Sequence, residues 1–139
     1  MKDETLETAA GELGRLAINL QIDLQKAENR IKELSKPKEF KVITLCGSTK
    51  FKEQFEEVNA KLTMEGNVVI SVGVFGHANK VKFTEGQKEQ LDKIHLQKID
   101  MADEIFVVNV NGYIGSSTKN EIAYAKRQGI PVRYLEEIR

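Results

Sequence analysis

The sequence predicts an α/β domain in which a parallel β-sheet is covered by helices on both faces, with an extra helix at the N-terminus. Three observations lead there. From residue 41 onward, short apolar runs alternate with longer amphipathic segments, the order expected of βαβ units. The runs are continuously apolar rather than alternating, as in strands buried on both faces. The first 36 residues hold no aromatic residue and carry a long helical repeat instead.

In that first segment, Leu6, Ala10, Leu13, Ala17, Leu20, Leu24, Ala27, Ile31 and Leu34 are spaced alternately by four and three. This is the seam of a coiled coil. Gly11 and Gly14 weaken its early turns by roughly 1 kcal/mol each relative to alanine. Pro37 ends it, because proline disfavours helix at the preceding residue. A seam of about four heptads favours self-association over packing on its own domain. The expected organisation is therefore a helix over residues 1–36 and a second domain over 37–139.

In the second domain, KVITLC (Lys41 to Cys46) predicts the first strand. Thr49 to Glu65 predicts a helix, with Phe51, Phe55, Val58 and Leu62 on one stripe, and Gly66 stops it. NVVISV (Asn67 to Val72) predicts the second strand, followed by a loop from Val74 to Gly86. A helix follows over Gln87 to Met101, then a third strand over Glu104 to Val110. The turn NGYIGSS leads into a helix over 117–128, Gly129 ends it, and Ile130 to Leu135 completes the sheet. Ligands of such sheets sit beyond the carboxyl ends of the strands. That rule selects the loops after Cys46, Val72 and Val110.

Composition narrows the function. The 139 residues include 21 basic and 21 acidic ones, for a formal net charge of +0. General nucleic-acid binding relies on excess Lys and Arg, so no nucleic-acid partner is expected. No apolar run approaches the roughly 18 residues of a membrane span, and no signal core follows Met1. The expected location is cytoplasmic. The single cysteine, Cys46, forms no internal disulfide, and one cysteine and two histidines far apart make no zinc pattern. No metal and no organic cofactor is expected.

Three segments can carry chemistry. Gly47-Ser48-Thr49-Lys50 follows a strand and opens a helix. Its glycine, hydroxyls, helix N-terminus and lysine suit a phosphate, or the hydroxyls merely cap the helix. Neither a Walker loop nor GxGxxG is present. Gly115-Ser116-Ser117 repeats the arrangement after the third strand, with Glu121 about one turn into the helix. Glu121 can act on an oxocarbenium-like sugar centre. The competing reading makes it the acid of a capping box begun by Thr118, and spacing alone favours that reading. Asp92 and His95 share a helix face and can serve as proton donors, or belong to a solvated polar face. Cys46 reads as a small buried hydrophobe, and His77 as a loop residue, in solvent or against a ligand.

Together, ITLCGSTKF, GNVVIS and IDMADEIFVVNVNGYIGSSTKNEIAYAKRQGIPV resemble the nucleoside 2-deoxyribosyltransferase-like superfamily. The resemblance covers about residues 40 to 135 and leaves out the N-terminal helix. It looks closest to the nucleotide-handling branch, the 2'-deoxynucleoside 5'-phosphate N-hydrolases and CMP hydrolases. It implies a Rossmann-like fold, homodimers, and cleavage of an N-glycosidic bond in a nucleoside 5'-monophosphate or related nucleotide. Glu121 corresponds to the family's catalytic glutamate. Gly47, Ser48 and Lys50 correspond to its first turn, with lysine where nucleotide hydrolases tend to carry arginine. Gly115, Ser116 and Ser117 correspond to its 5'-phosphate loop. His95 stands where members commonly place an aspartate that protonates the departing base, and Asp92 lies one turn earlier. Asn109 and Asn111 stand near the place where nucleoside-specific transferases carry an aspartate for a sugar hydroxyl. The alternative to a hydrolase is a non-catalytic nucleotide-binding or sequestering protein on the same fold.

Overall fold

The computed structural model describes residues 4–138, with side chains from residue 7 onward. Residues 1–3, the side chain of the first seam position Leu6, and Arg139 lie outside that description. The chain divides into two compact units, residues 1–38 and 39–139.

The first unit is one helix, α1 (Glu4–Leu34). Leu13, Leu20, Leu24, Ile31 and Leu34, along its apolar seam, are all more than half exposed. Neither α1 nor any other described helix is long and apolar enough to cross a membrane.

The second unit is a Rossmann-like α/β domain. Its strands are β1 (Val42–Gly47), β2 (Val68–Ile70), β3 (Glu104–Val108) and β4 (Val132–Tyr134). They form one sheet in the order β2-β1-β3-β4, and every pairing is parallel. The helices are α2 (Lys52–Met64), α3 (Glu85–Asp100) and α4 (Ser116–Arg127). Successive strand residues point to opposite faces, and β1 divides its side chains accordingly. Ile43 and Leu45 join Phe55, Val58 and Leu62 of α2 in one core. Cys46 joins Ile99 of α3 and Ile122 and Ala125 of α4 in the other. Burial on both faces is why the strands read as unbroken apolar runs.

Most boundaries differ from the sequence expectation by one to three residues, and for three of them the hydrogen bonds give a local reason. Helix α2 starts at Lys52 rather than Thr49, because residues 48–51 first close a turn with Phe51 N–H donating to Ser48 O at 3.1 Å. Helix α3 starts at Glu85 rather than Gln87, since Thr84 and Gln87 form a reciprocal capping box that satisfies its first free N–H groups. Strand β3 ends at Val108 rather than Val110. Buried Asn109 exchanges two hydrogen bonds with the backbone of Glu136, both at 2.9 Å, and the chain turns into a single 3-10 turn over Val110–Gly112.

The order β2-β1-β3-β4 sends the chain to one side of β1 and then to the other. The carboxyl ends of β1 and β3 thus flank a topological switch point, where such sheets form their crevice. Gly47 makes the approach of these strands possible. Its φ is +150°, and a Cβ there would lie 2.8 Å from Val108 O and 3.3 Å from the Phe55 ring.

Candidate active site

A cleft of about 700 Å³ opens over the carboxyl edge of the sheet. Its walls come from four segments: the turn after β1, the loop after β2, one face of α3, and the first turns of α4.

The turn after β1 contributes Gly47, Ser48 and Thr49. Neither hydroxyl caps α2, whose N-cap is Phe51 with no side-chain bond. Thr49 Oγ1 instead pairs with His77 Nδ1 at 2.6 Å, tying this turn to the loop after β2. Lys50 does not itself line the cleft, but its ammonium sits 3.4 Å from the centroid of the ring of Tyr113, a residue of the cleft wall. This is a cation–π arrangement.

Helix α4 begins with Gly115 as an N-cap that offers no side-chain bond. Its first N–H groups are left for solvent or a ligand, and the dipole favours an anion there. Gly115, Ser116 and Ser117 all line the cleft. With Gly115 as the cap, Thr118 is already inside the helix and buried. Glu121 lies beyond the first turn, so the capping-box reading of Thr118 and Glu121 does not apply. Its side chain is 16% exposed, and Oε2 is buried with no hydrogen-bond partner.

Helix α3 supplies the opposite wall. Asp92 lies on an exposed stretch of it, paired with Lys88 at 3.2 Å. His95, one turn on, is buried and directs Nε2 to Glu121 Oε2 at 3.6 Å and to Cys46 Sγ at 3.4 Å. Cys46 is fully buried, as its apolar setting predicts. What the sequence conceals is its partnership, because its neighbours come from positions 49 and 75 residues away along the chain.

Burial sets the electrostatics of this trio. It raises Glu121 from 4.5 to about 7, and Asp92 pushes the same way while the Cys46 thiol opposes it. Burial lowers His95 from 6.5 to about 4, with the Lys98 charge adding to the effect and Asp92 opposing it. Burial also raises Cys46 well above the usual thiol range, and the Glu121 charge adds to that. At neutral pH the imidazole and the thiol are uncharged, and the carboxyl is poised between its two forms. A carboxyl titrating near neutrality in a cleft is suited to proton transfer or nucleophilic attack.

The sequence candidates thus converge: Gly47, Ser48, Gly115, Ser116, Ser117, Asp92, His95 and Glu121 share one cleft, and Lys50 stands beside it on Tyr113. Two cleft lysines, Lys88 and Lys98, were not singled out by sequence. Lys98 Nζ donates to Ser71 O at 2.9 Å, which holds it at the end of β2. Helical spacing from Asp92 and His95 was the available signal, since residues three and four apart share a face.

Residues 44–134 match the family described as a domain of unknown function (DUF4406). No curated protein and no solved structure matches the chain.

Proposed function

We propose that this chain, which belongs to the DUF4406 family, is an N-glycoside hydrolase acting on a nucleoside 5'-monophosphate or a related nucleotide. The observation that carries the reading is Glu121. It is a cleft carboxyl with a buried, unpartnered oxygen and an affinity for protons raised to about 7, set beside an uncapped helix N-terminus.

In this reading the 5'-phosphate rests on the first turn of α4, against the Ser116 and Ser117 hydroxyls, with Gly47 and Ser48 opposite. The ionised Glu121 attacks C1' or stabilises its developing positive charge, and the bond from C1' to the base nitrogen breaks. Water then adds to C1' and passes its proton by way of the carboxylate to solvent, which leaves Glu121 ionised as it began. The departing base takes up a proton from solvent, which Asp92 on the cleft wall helps to position. His95 is neutral at pH 7 and serves to orient Glu121. Lys88 and Lys98 on the cleft wall, with Lys50 beside it on Tyr113, supply the positive field.

A second reading is a nucleotide-binding or sequestering protein without turnover. It is favoured by the engagement of Asp92 with Lys88 and by the lowered proton affinity of His95, which leave no ready acid for the leaving base. Incubation with ribo- and deoxyribonucleoside monophosphates, reading free base by chromatography, separates the two. Base release establishes the hydrolase. Binding with intact nucleotide recovered establishes the second reading.

For α1 we propose pairing with a second copy of itself. Its apolar seam alternates by four and three, the spacing at which identical helices interlock.

A further inference from the structure

We propose that Cys46, His95 and Glu121 form a transition-metal site of the zinc class whose remaining coordination position opens into the cleft. Among the described residues these three make the one cluster of cysteine, histidine and carboxylate donors, with all donor atoms within 4.8 Å of one another.

The geometry favours a metal over a nucleophilic relay. In a Cys–His–carboxylate relay the two ring nitrogens face different partners, one the nucleophile and the other the acid. Here a single nitrogen, His95 Nε2, faces both Cys46 Sγ at 3.4 Å and Glu121 Oε2 at 3.6 Å. Three donor atoms of three kinds therefore lie within 4.8 Å of one another. A tetrahedral zinc with bonds of roughly 2.3 Å to sulfur and 2.0–2.2 Å to nitrogen and oxygen spaces its ligand atoms roughly 3.3–3.6 Å apart. The two measured separations lie at that spacing.

A second observation points to a missing partner. Glu121 Oε2 is buried and makes no well-formed hydrogen bond, with the His95 nitrogen at 3.6 Å and the Cys46 thiol its nearest neighbours, a costly state for a carboxylate oxygen. A cation between the three side chains would satisfy it. Three protein ligands and one open position make the arrangement of catalytic rather than structural zinc. His95 and Glu121 both line the cleft, which provides the route of entry. The mixed sulfur, nitrogen and oxygen donors suit zinc or cobalt and disfavour magnesium, which takes oxygen ligands. On binding, the thiol proton leaves to solvent as the thiolate–metal bond forms.

The site goes beyond the proposed hydrolysis and constrains it. A metal on Glu121 removes the carboxylate that acts on C1', so zinc and base release compete for one side chain.

The test is titration of the full-length, chelator-treated protein with cobalt(II), followed by displacement with zinc. The expected result is one equivalent per chain, with the visible bands of a tetrahedral ion and a thiolate-to-cobalt charge-transfer band in the near ultraviolet. Cys46→Ser should remove the charge-transfer band, and Glu121→Gln should weaken binding at least tenfold. Glu121→Gln replaces a partly accessible side chain, so it remains informative if Cys46→Ser fails to fold. Absence of a charge-transfer band in the native protein, its persistence in Cys46→Ser, or equal binding of magnesium would overturn the proposal. Base release measured in chelator is independent of these readings, so failure of the metal site and failure of the hydrolase are told apart.

Discussion

His95 Nε2 lies 3.6 Å from Glu121 Oε2, and burial drives the two groups in opposite directions, the imidazole down to about 4 and the carboxyl up to about 7. Each change removes a charge from the same enclosed place. At neutral pH the pair therefore faces the cleft as an uncharged imidazole beside a carboxyl divided between its two forms.

This opposition has a consequence for stability. Glu121 binds its proton more tightly folded than unfolded, so its contribution falls as pH rises from about 4.5 to about 7. His95 binds its proton less tightly folded, so its contribution rises from about pH 4 to 6.5. Each shift corresponds to at most about 3.5 kcal/mol, and between pH 4.5 and 6.5 the two slopes largely cancel. In metal-free buffer, Glu121→Gln should uncover the rising limb and His95→Gln the falling one. Urea denaturation at intervals from pH 4 to 7.5 measures both. Parallel profiles for native protein and both variants would refute the opposed pair.

Glu121→Gln keeps the shape of the side chain and removes its charge. Base release from the preferred nucleoside monophosphate should fall by about a thousandfold or more, with nucleotide binding by calorimetry retained. Turnover at the native rate would exclude Glu121 from the chemistry.

Gly47 is required by backbone and neighbours alike. Gly47→Ala places a Cβ against Val108 O and the Phe55 ring at a φ of +150°. A loss of roughly 1–3 kcal/mol is expected, seen as a lower denaturation midpoint. An unchanged midpoint would mean that β1 and β3 tolerate a wider separation.

Removal of residues 1–36 should leave the 39–139 unit folded, with its circular dichroism retaining the α/β signature. The solution mass by light scattering should fall to that of one chain. An assembly that survives the deletion would place the contact on the α/β unit instead of α1.

Much of this architecture is legible along the chain. The α/β class follows from apolar runs alternating with amphipathic segments. Both signals lie within a window of a dozen residues, because helix and strand periods are properties of the local backbone. The glycines and serines beyond Cys46 and Val110 mark the cleft for a similar reason, since the strand-end rule needs only the order of elements. Boundaries were less legible where a side chain from afar intervenes, as Asn109 does by bonding the Glu136 backbone.

By itself, then, the sequence determined the layers, the strands, the apolar seam of α1 and the loops that surround the cleft. Only the tertiary structure decided which charges face that cleft and which meet each other. It turned Lys50 onto Tyr113, put Gly115 rather than Thr118 at the start of α4, and closed Cys46, His95 and Glu121 into one cluster. The reason is physical. Periodicity and capping act between near neighbours, whereas proton affinity and coordination depend on burial and on atoms a few ångströms away. Those atoms come from β1, α3 and α4, which the parallel order β2-β1-β3-β4 brings together across the whole length of the domain.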